Sequence, residues 1–158
     1  MLEHIKLPEQ YKLGQEVIDE QHSQLFVILI NMAKLIKNDD KKNDKQIEAE
    51  MNVLLTSLRN YTQNHFQYEE RYMEKMKYPE LEAHKTLHKA FVEKIFDIQK
   101  NALKQKKEKM IVLKEFASFL KEWLLNHILQ EDRKYSQFEK NQIPQVKQEV
   151  KMKAQSPT

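Results

Sequence analysis

Residues 47–76 read IEAEMNVLLTSLRNYTQNHFQYEERYMEKM, with no glycine or proline. One stripe runs through them at alternating steps of three and four: Ile47, Met51, Leu54, Leu58, Tyr61, His65, Glu69, Tyr72 and Met76. That period belongs to one face of an α-helix, and the length makes it a long one. Two positions on this otherwise apolar stripe, His65 and Glu69, are polar, and a buried polar side chain is costly unless it finds partners. The stretch therefore sets both the fold class and the question of function.

The same period appears on both sides of it. Upstream the stripe is Ile18, His22, Leu25, Leu29, Met32 and Ile36, ended by the polar run 38–44, in which Asn43 or Asp44 can cap the next helix. Downstream, Tyr78-Pro79 interrupts the pattern, because proline pushes its predecessor out of helical geometry and itself suits a first helical position. A third stripe follows with Leu81, His84, His88, Phe91, Ile95, Ile98 and Ala102, and a fourth with Leu113, Phe116, Leu120, Trp123 and His127. Helices are expected over 16–37, 44–77, 80–104 and 109–138. Short connections leave neighbours antiparallel, so the expected fold is all-α, an up-down-up-down four-helix bundle. It occupies residues 1–138, including an N-terminal arm at 1–15. Residues 139–158, with Pro144, Pro157 and many lysines and glutamines, are expected to form a flexible extension.

Composition agrees with this and narrows the function. The chain has 158 residues, one domain's worth, with a single glycine (Gly14) and prolines only at 8, 79, 144 and 157. Its 27 basic and 24 acidic residues are too evenly balanced to argue for nucleic acid. The basic run from Lys104 to Lys109 reads as a solvated turn. Absence of cysteine removes disulfides, thiolate metal sites and thiol nucleophiles, and one glycine leaves no phosphate-binding loop. With no membrane-length apolar run and no signal-peptide core at the start, the expectation is a soluble, cytoplasmic protein without membrane insertion. No particular protein partner is indicated, and a monomer suffices.

The polar residues on the inward stripes are the candidate site. A single histidine there is more often a satisfied core residue than a ligand. Five of them on four stripes (His22, His65, His84, His88 and His127), joined by carboxylates, reverse that balance, since a metal pair satisfies them together. Imidazoles with carboxylates suit two iron ions better than one metal. His65 and Glu69, and His84 and His88, are each four apart and share a helix face. The antiparallel order gathers all of them toward one end of the bundle. Asp132 fits less simply: five residues after His127 it lies roughly 140° around an ideal helix. Either a locally widened turn brings Asp132 in, or Glu131 is the ligand; spacing does not choose. His4 lies outside every stripe, with no expected ligand role.

These residues resemble the hemerythrin family, and specifically its single-domain bacterial members. The matching stretches are Gly14-Gln15-Glu16-Val17-Ile18-Asp19-Glu20-Gln21-His22, then His65-Phe66-Gln67-Tyr68-Glu69-Glu70 with Met73, then Tyr78-Pro79 with His84 and His88. Last comes Trp123-Leu124-Leu125-Asn126-His127-Ile128 with Asp132 and Tyr135. Each motif is weak alone, and all of them in order, over roughly residues 7–138, are specific. Bacterial members often carry tryptophan where this chain has Leu7. The resemblance favours Asp132 over Glu131. It implies a non-haem centre of two iron ions (Fe2+/Fe3+) with an oxo or hydroxo bridge. One iron is then held by His84, His88 and His127, the other by His22 and His65, with Glu69 and Asp132 bridging. The implied function is reversible dioxygen binding, as carrier, store or supplier, and not catalysis. Phe66, Trp123 and Leu124 resemble the family's apolar oxygen pocket. The alternatives on the same scaffold are a di-iron oxidase, peroxidase or nitric oxide-handling enzyme, a sensor, iron storage, or a zinc or manganese site. The absence of any Glu-x-x-His counts against ferritin-like enzymes.

Overall fold

The computed structural model of the chain describes residues 6–102 and 109–154. His4 and nearly all of the basic run at 104–109 lie outside the described residues. The helices are α1 (Glu16–Lys37), α2 (Asp44–Lys75), α3 (Leu81–Ala102), α4 (Lys109–Asn126) and α5 (Arg133–Ala154). A six-residue π-helical turn, His127–Asp132, joins the last two. Among the described residues there is no strand, and no helix is long and apolar enough to cross a membrane.

Local chemistry sets the helix ends. Asn43 and Gln46 form a reciprocal capping box at the start of α2: each side-chain oxygen accepts from the other's backbone N–H at 3.0 Å. Gln15 Oε1 accepts from the Ile18 N–H at the start of α1. At the end of α2 the Tyr78 N–H reaches the Met73 carbonyl and the Lys77 N–H reaches that of Glu74, both at 3.0 Å. This is the Schellman closure, and it places Lys77 at φ 56°, a left-handed conformation that usually falls to glycine. Lys77→Gly should therefore raise stability by about 0.5–1 kcal/mol, offset in part by the looser unfolded chain. Denaturant midpoints of the two proteins check this; an unchanged or lower midpoint would mean that Lys77 is unstrained.

α1 packs on α2 and α4, and α3 packs on the same two. The antiparallel sense shows in cross-links between α2 and α3: Thr56 meets Gln99 at 3.2 Å, while Glu70, further along α2, meets His88, earlier on α3. The buried stripes follow the expected period, with a shift on α2. There Leu55, Thr62, Phe66 and Met73 are buried, and Leu54, Tyr61, Tyr72 and Met76 lie half-buried beside them. A helix wedged between two neighbours buries a wider sector than one seam.

Two apolar clusters result. The larger contains Leu25, Leu58, Phe91, Ile95, Phe116 and Leu120. The smaller contains Leu13, Ile18, Met73, Tyr78 and Tyr135. Along α1 and α2 the polar stripe residues fall between them. The N-terminal arm closes the small-cluster end. Leu7 and Leu13 are both buried. Asp19 accepts from the Leu13 and Gly14 N–H groups at 2.8 and 3.1 Å, and Gly14 turns the chain at φ +86°. Arg133 and Ser136 donate to the carbonyls of Gln10 and Leu13.

One boundary differs from expectation. The helical path expected to end near 138 runs on through α5 to Ala154, past Pro144. Proline removes one backbone bond to the carbonyl of Lys140, an exposed residue where water can substitute.

Candidate metal centre

Four helical segments deliver seven polar side chains to one place. His22 comes from α1, His65 and Glu69 from α2, His84 and His88 from α3, and His127 and Asp132 from the two ends of the π-turn. None is more than 4 % exposed. Their ligand-type atoms form two groups, each within 4.8 Å across: Glu69, His84, His88, His127 and Asp132, and His22, His65 and Glu69. Glu69 belongs to both. Asp132 also spans them, with Oδ2 3.2 Å from His22 Nε2 and Oδ1 3.2 and 3.0 Å from the Nε2 atoms of His84 and His127.

At the end of α4 the π-turn brings Asp132, and not Glu131, into the cluster. Its i→i+5 hydrogen bonding widens the turn, so a five-residue step nearly closes it and Asp132 returns to the face of His127. Glu131 faces away and pairs with Lys134 at 2.9 Å. Glu131→Ala should leave metal content unchanged, whereas Asp132→Ala should reduce it; metal analysis of the two purified variants decides.

The donor set fits cations. His22 Nδ1 and Nε2, His84 Nε2, Glu69 Oε2 and both oxygens of Asp132 are buried without a hydrogen-bond partner. Several lie close to one another, yet their contacts lack hydrogen-bond geometry, as expected of lone pairs aimed at shared points between them. Each such atom left unsatisfied costs about 1–3 kcal/mol. Neutral imidazoles and carboxylates at this spacing are what a pair of borderline cations takes.

A second layer of side chains orients those of the cluster. Gln21 Oε1 lies 2.8 Å from His65 Nδ1, and Glu70 Oε1 lies 2.8 Å from His88 Nδ1, so each ring donates outward and turns its Nε2 lone pair inward. The Tyr135 hydroxyl donates to Glu69 Oε1. Burial raises the carboxyl of Glu69, but the surrounding imidazoles outweigh it and hold it, like Asp132, well below the usual range. His65 is pushed down to about 4 by burial. Burial also acts against His84, but Asp132 and Glu69 overcome it and lift the ring to about 9. The carboxylates thus remain anionic at any ordinary pH, available to cations. The sequence pattern gave Gln21, Glu70 and Tyr135 no role, although all three stand in the stretches that carry the family resemblance, one or three residues from a cluster residue.

Apolar rings wall the centre. Phe66 stacks on His88 with centroids 3.8 Å apart, and Trp123 stacks on His127 at 4.3 Å. Both rings thus cover the three-histidine side, with Phe66 also 5.5 Å from His65. Leu124 is buried in the large cluster that includes Leu25, Phe66 and Ile128.

Comparison with known proteins gives a consistent result. The sequence profile described as "Hemerythrin HHE cation binding domain" matches residues 13–138. The chain is 30% identical over 129 residues to a bacteriohemerythrin of Clostridium acetobutylicum, covering 80% of this chain and 95% of that protein. It is 32% identical over 127 residues to a myohemerythrin of Theromyzon tessulatum, covering 80% and 87%. It is 31% identical over 117 residues to a bacteriohemerythrin of Methylococcus capsulatus, covering 74% and 82%.

Proposed function

This chain belongs to the hemerythrin family, and from that premise we propose that its buried cluster holds two iron ions and binds dioxygen reversibly, as a carrier, store or supplier rather than as an enzyme. The observation that carries the reading is the pair of donor groups sharing Glu69, with buried lone pairs that no protein hydrogen bond uses. His84, His88 and His127 would hold one iron, His22 and His65 the other, and Glu69 and Asp132 would bridge them along with a solvent-derived oxo or hydroxo group. An iron pair supplies the electrons that dioxygen takes up on binding and returns on release.

The chain's own residues do the rest. Three imidazoles on one side and two on the other leave the second side one protein donor short, which is where a small ligand can enter. Gln21 and Glu70 fix the tautomers of His65 and His88, so that neither ring is free to turn its lone pair away. Tyr135 holds Glu69 Oε1, leaving Oε2 toward the rings. Phe66, Trp123 and Leu124 exclude water from the apolar flank. A cytoplasmic, soluble setting suits a cysteine-free chain with this composition.

The pocket assignment has its own test. Leu124→Asn places a polar group among apolar neighbours and admits water. The oxygenated protein should then turn ferric roughly fivefold faster, about 1 kcal/mol of barrier, with both irons retained. Decay followed optically in parent and variant measures this, and an unchanged lifetime removes Leu124 from the pocket.

A further inference from the structure

The turn that carries Asp132 has ordinary helix on both sides. Asn126 and Arg133, which flank His127–Asp132, have φ, ψ of −67°, −41° and −62°, −30°. The flanking backbone therefore does not force an extra residue into the helix, and a π-turn is rarely adopted for its own sake. What sets this segment apart is what touches it from outside. Residues Glu9–Tyr11 of the arm pack on the turn itself. Just past the turn, Arg133 Nη2 donates to the Gln10 carbonyl at 2.5 Å, and the buried Ser136 Oγ donates to the Leu13 carbonyl at 3.1 Å. The arm is itself anchored, because the N–H groups of Leu13 and Gly14 go to Asp19, three residues before His22. Leu13 thus ties α1 to α5, its N–H bonded to one and its carbonyl to the other.

The second observation is the pair Glu131-Asp132. Adjacent carboxylates follow His127 at four and five residues. On an ideal helix the four-residue step lies roughly 40° from His127 and the five-residue step roughly 140°. Which carboxylate enters the cluster therefore depends on where the extra residue sits. With it in 127–132, Asp132 is inside and Glu131 is turned out onto Lys134 at 2.9 Å. Were it one turn further along, the helix would be α through residue 131 and Glu131 would stand on the face of His127, the rest of α5 staying docked. Arg133 and Ser136 lie in the segment through which it would have to pass.

We propose that Ser136 and Arg133 are positioning residues: bonded to the carbonyls of the arm, they hold the extra residue in the turn before them, and without that hold it moves along α5 and Glu131 replaces Asp132 in the cluster. Neither side chain belongs to the cluster, and both act through Asp132. Tyr135, packed with Leu13 in the small apolar cluster, holds the same register from the inside. Loss of the two arm bonds therefore loosens the register without freeing α5. Glu131 is one methylene longer than Asp132, so cations gathered through it are held less tightly. The register belongs to the protein without metal; its consequence for cations rests on the iron pair proposed above.

The test uses the full chain, first metal-free and then titrated anaerobically with ferrous iron. Arg133→Ala combined with Ser136→Ala removes both bonds and leaves every cluster residue in place. In the metal-free protein, amide hydrogen exchange and backbone chemical shifts of residues 127–137 read the position of the extra residue. They should change at 131–136 in the variant, with those of α3 unchanged. Iron affinity should fall about tenfold, the scale of a lost outer partner. Glu131→Ala, silent in the parent, should cost about a further tenfold in the variant, while Asp132→Ala should cost less there than in the parent. A merely structural role would weaken iron binding without passing the dependence to Glu131. Arg133→Lys keeps a donor and should behave as the parent. If the double variant does not fold, Arg133→Ala alone, whose bond lies at the surface, carries the same comparison. The parent's exchange pattern at 131–136 in the variant, or an iron loss that Glu131→Ala does not deepen, overturns the proposal. A parent that takes up no iron contradicts the metal reading, and the metal-free exchange pattern still decides the register.

Discussion

Glu69→Gln should reduce bound iron from two per chain to one or none and weaken what remains by roughly 100-fold or more, since losing even an outer-layer partner costs 10–100-fold. Glu69 is the residue common to both donor groups, so its loss removes charge and a donor from both ions at once. The amide also places N–H hydrogens where His65, His84 and His88 present their Nε2 atoms within 3.2–3.7 Å of Oε2. Helix content should be unchanged, because the variant is close to isosteric. Iron analysis with circular dichroism checks both halves. Two tightly bound irons in Glu69→Gln would remove it as a bridge.

The second large effect is on stability. The unfolded chain offers no preformed site, so cations bind the folded state and their binding free energy adds to folding. At a free ferrous concentration a thousandfold above its dissociation constant, one site alone contributes about 4 kcal/mol. For a chain of this size that is roughly 8–16 °C in melting temperature. Anaerobic melts with and without ferrous iron give the comparison. Glu69→Gln should show little of the shift. A parent whose melting temperature does not move would mean that the buried donors are satisfied without metal.

Much of this architecture is legible in the sequence because helical burial has a period. His22, His65, His84, His88 and His127 each take a stripe position between apolar neighbours, and antiparallel order alone brings them to one level. Asp132 was readable only by resemblance. A π-turn departs from the 3.6-residue period, and no local pattern around His127 announces it. Gln21, beside His22, meets His65 only once α1 and α2 have docked, 44 residues apart in sequence. Lys77 could not be read as a left-handed cap, because the pattern asks for glycine there. The extent of α5 was hidden by Pro144, a signal for helix breaking that an exposed helix can absorb.

Reversible dioxygen binding by two irons in this cluster is read in the optical spectrum of anaerobically reduced, iron-loaded protein through repeated cycles of air and argon, with iron counted in the same sample. The expected result is two irons per chain and a visible charge-transfer band that appears in air, vanishes under argon and returns over several cycles. One equivalent of zinc with no iron uptake, or a band that forms once in air and never reverses, would contradict it.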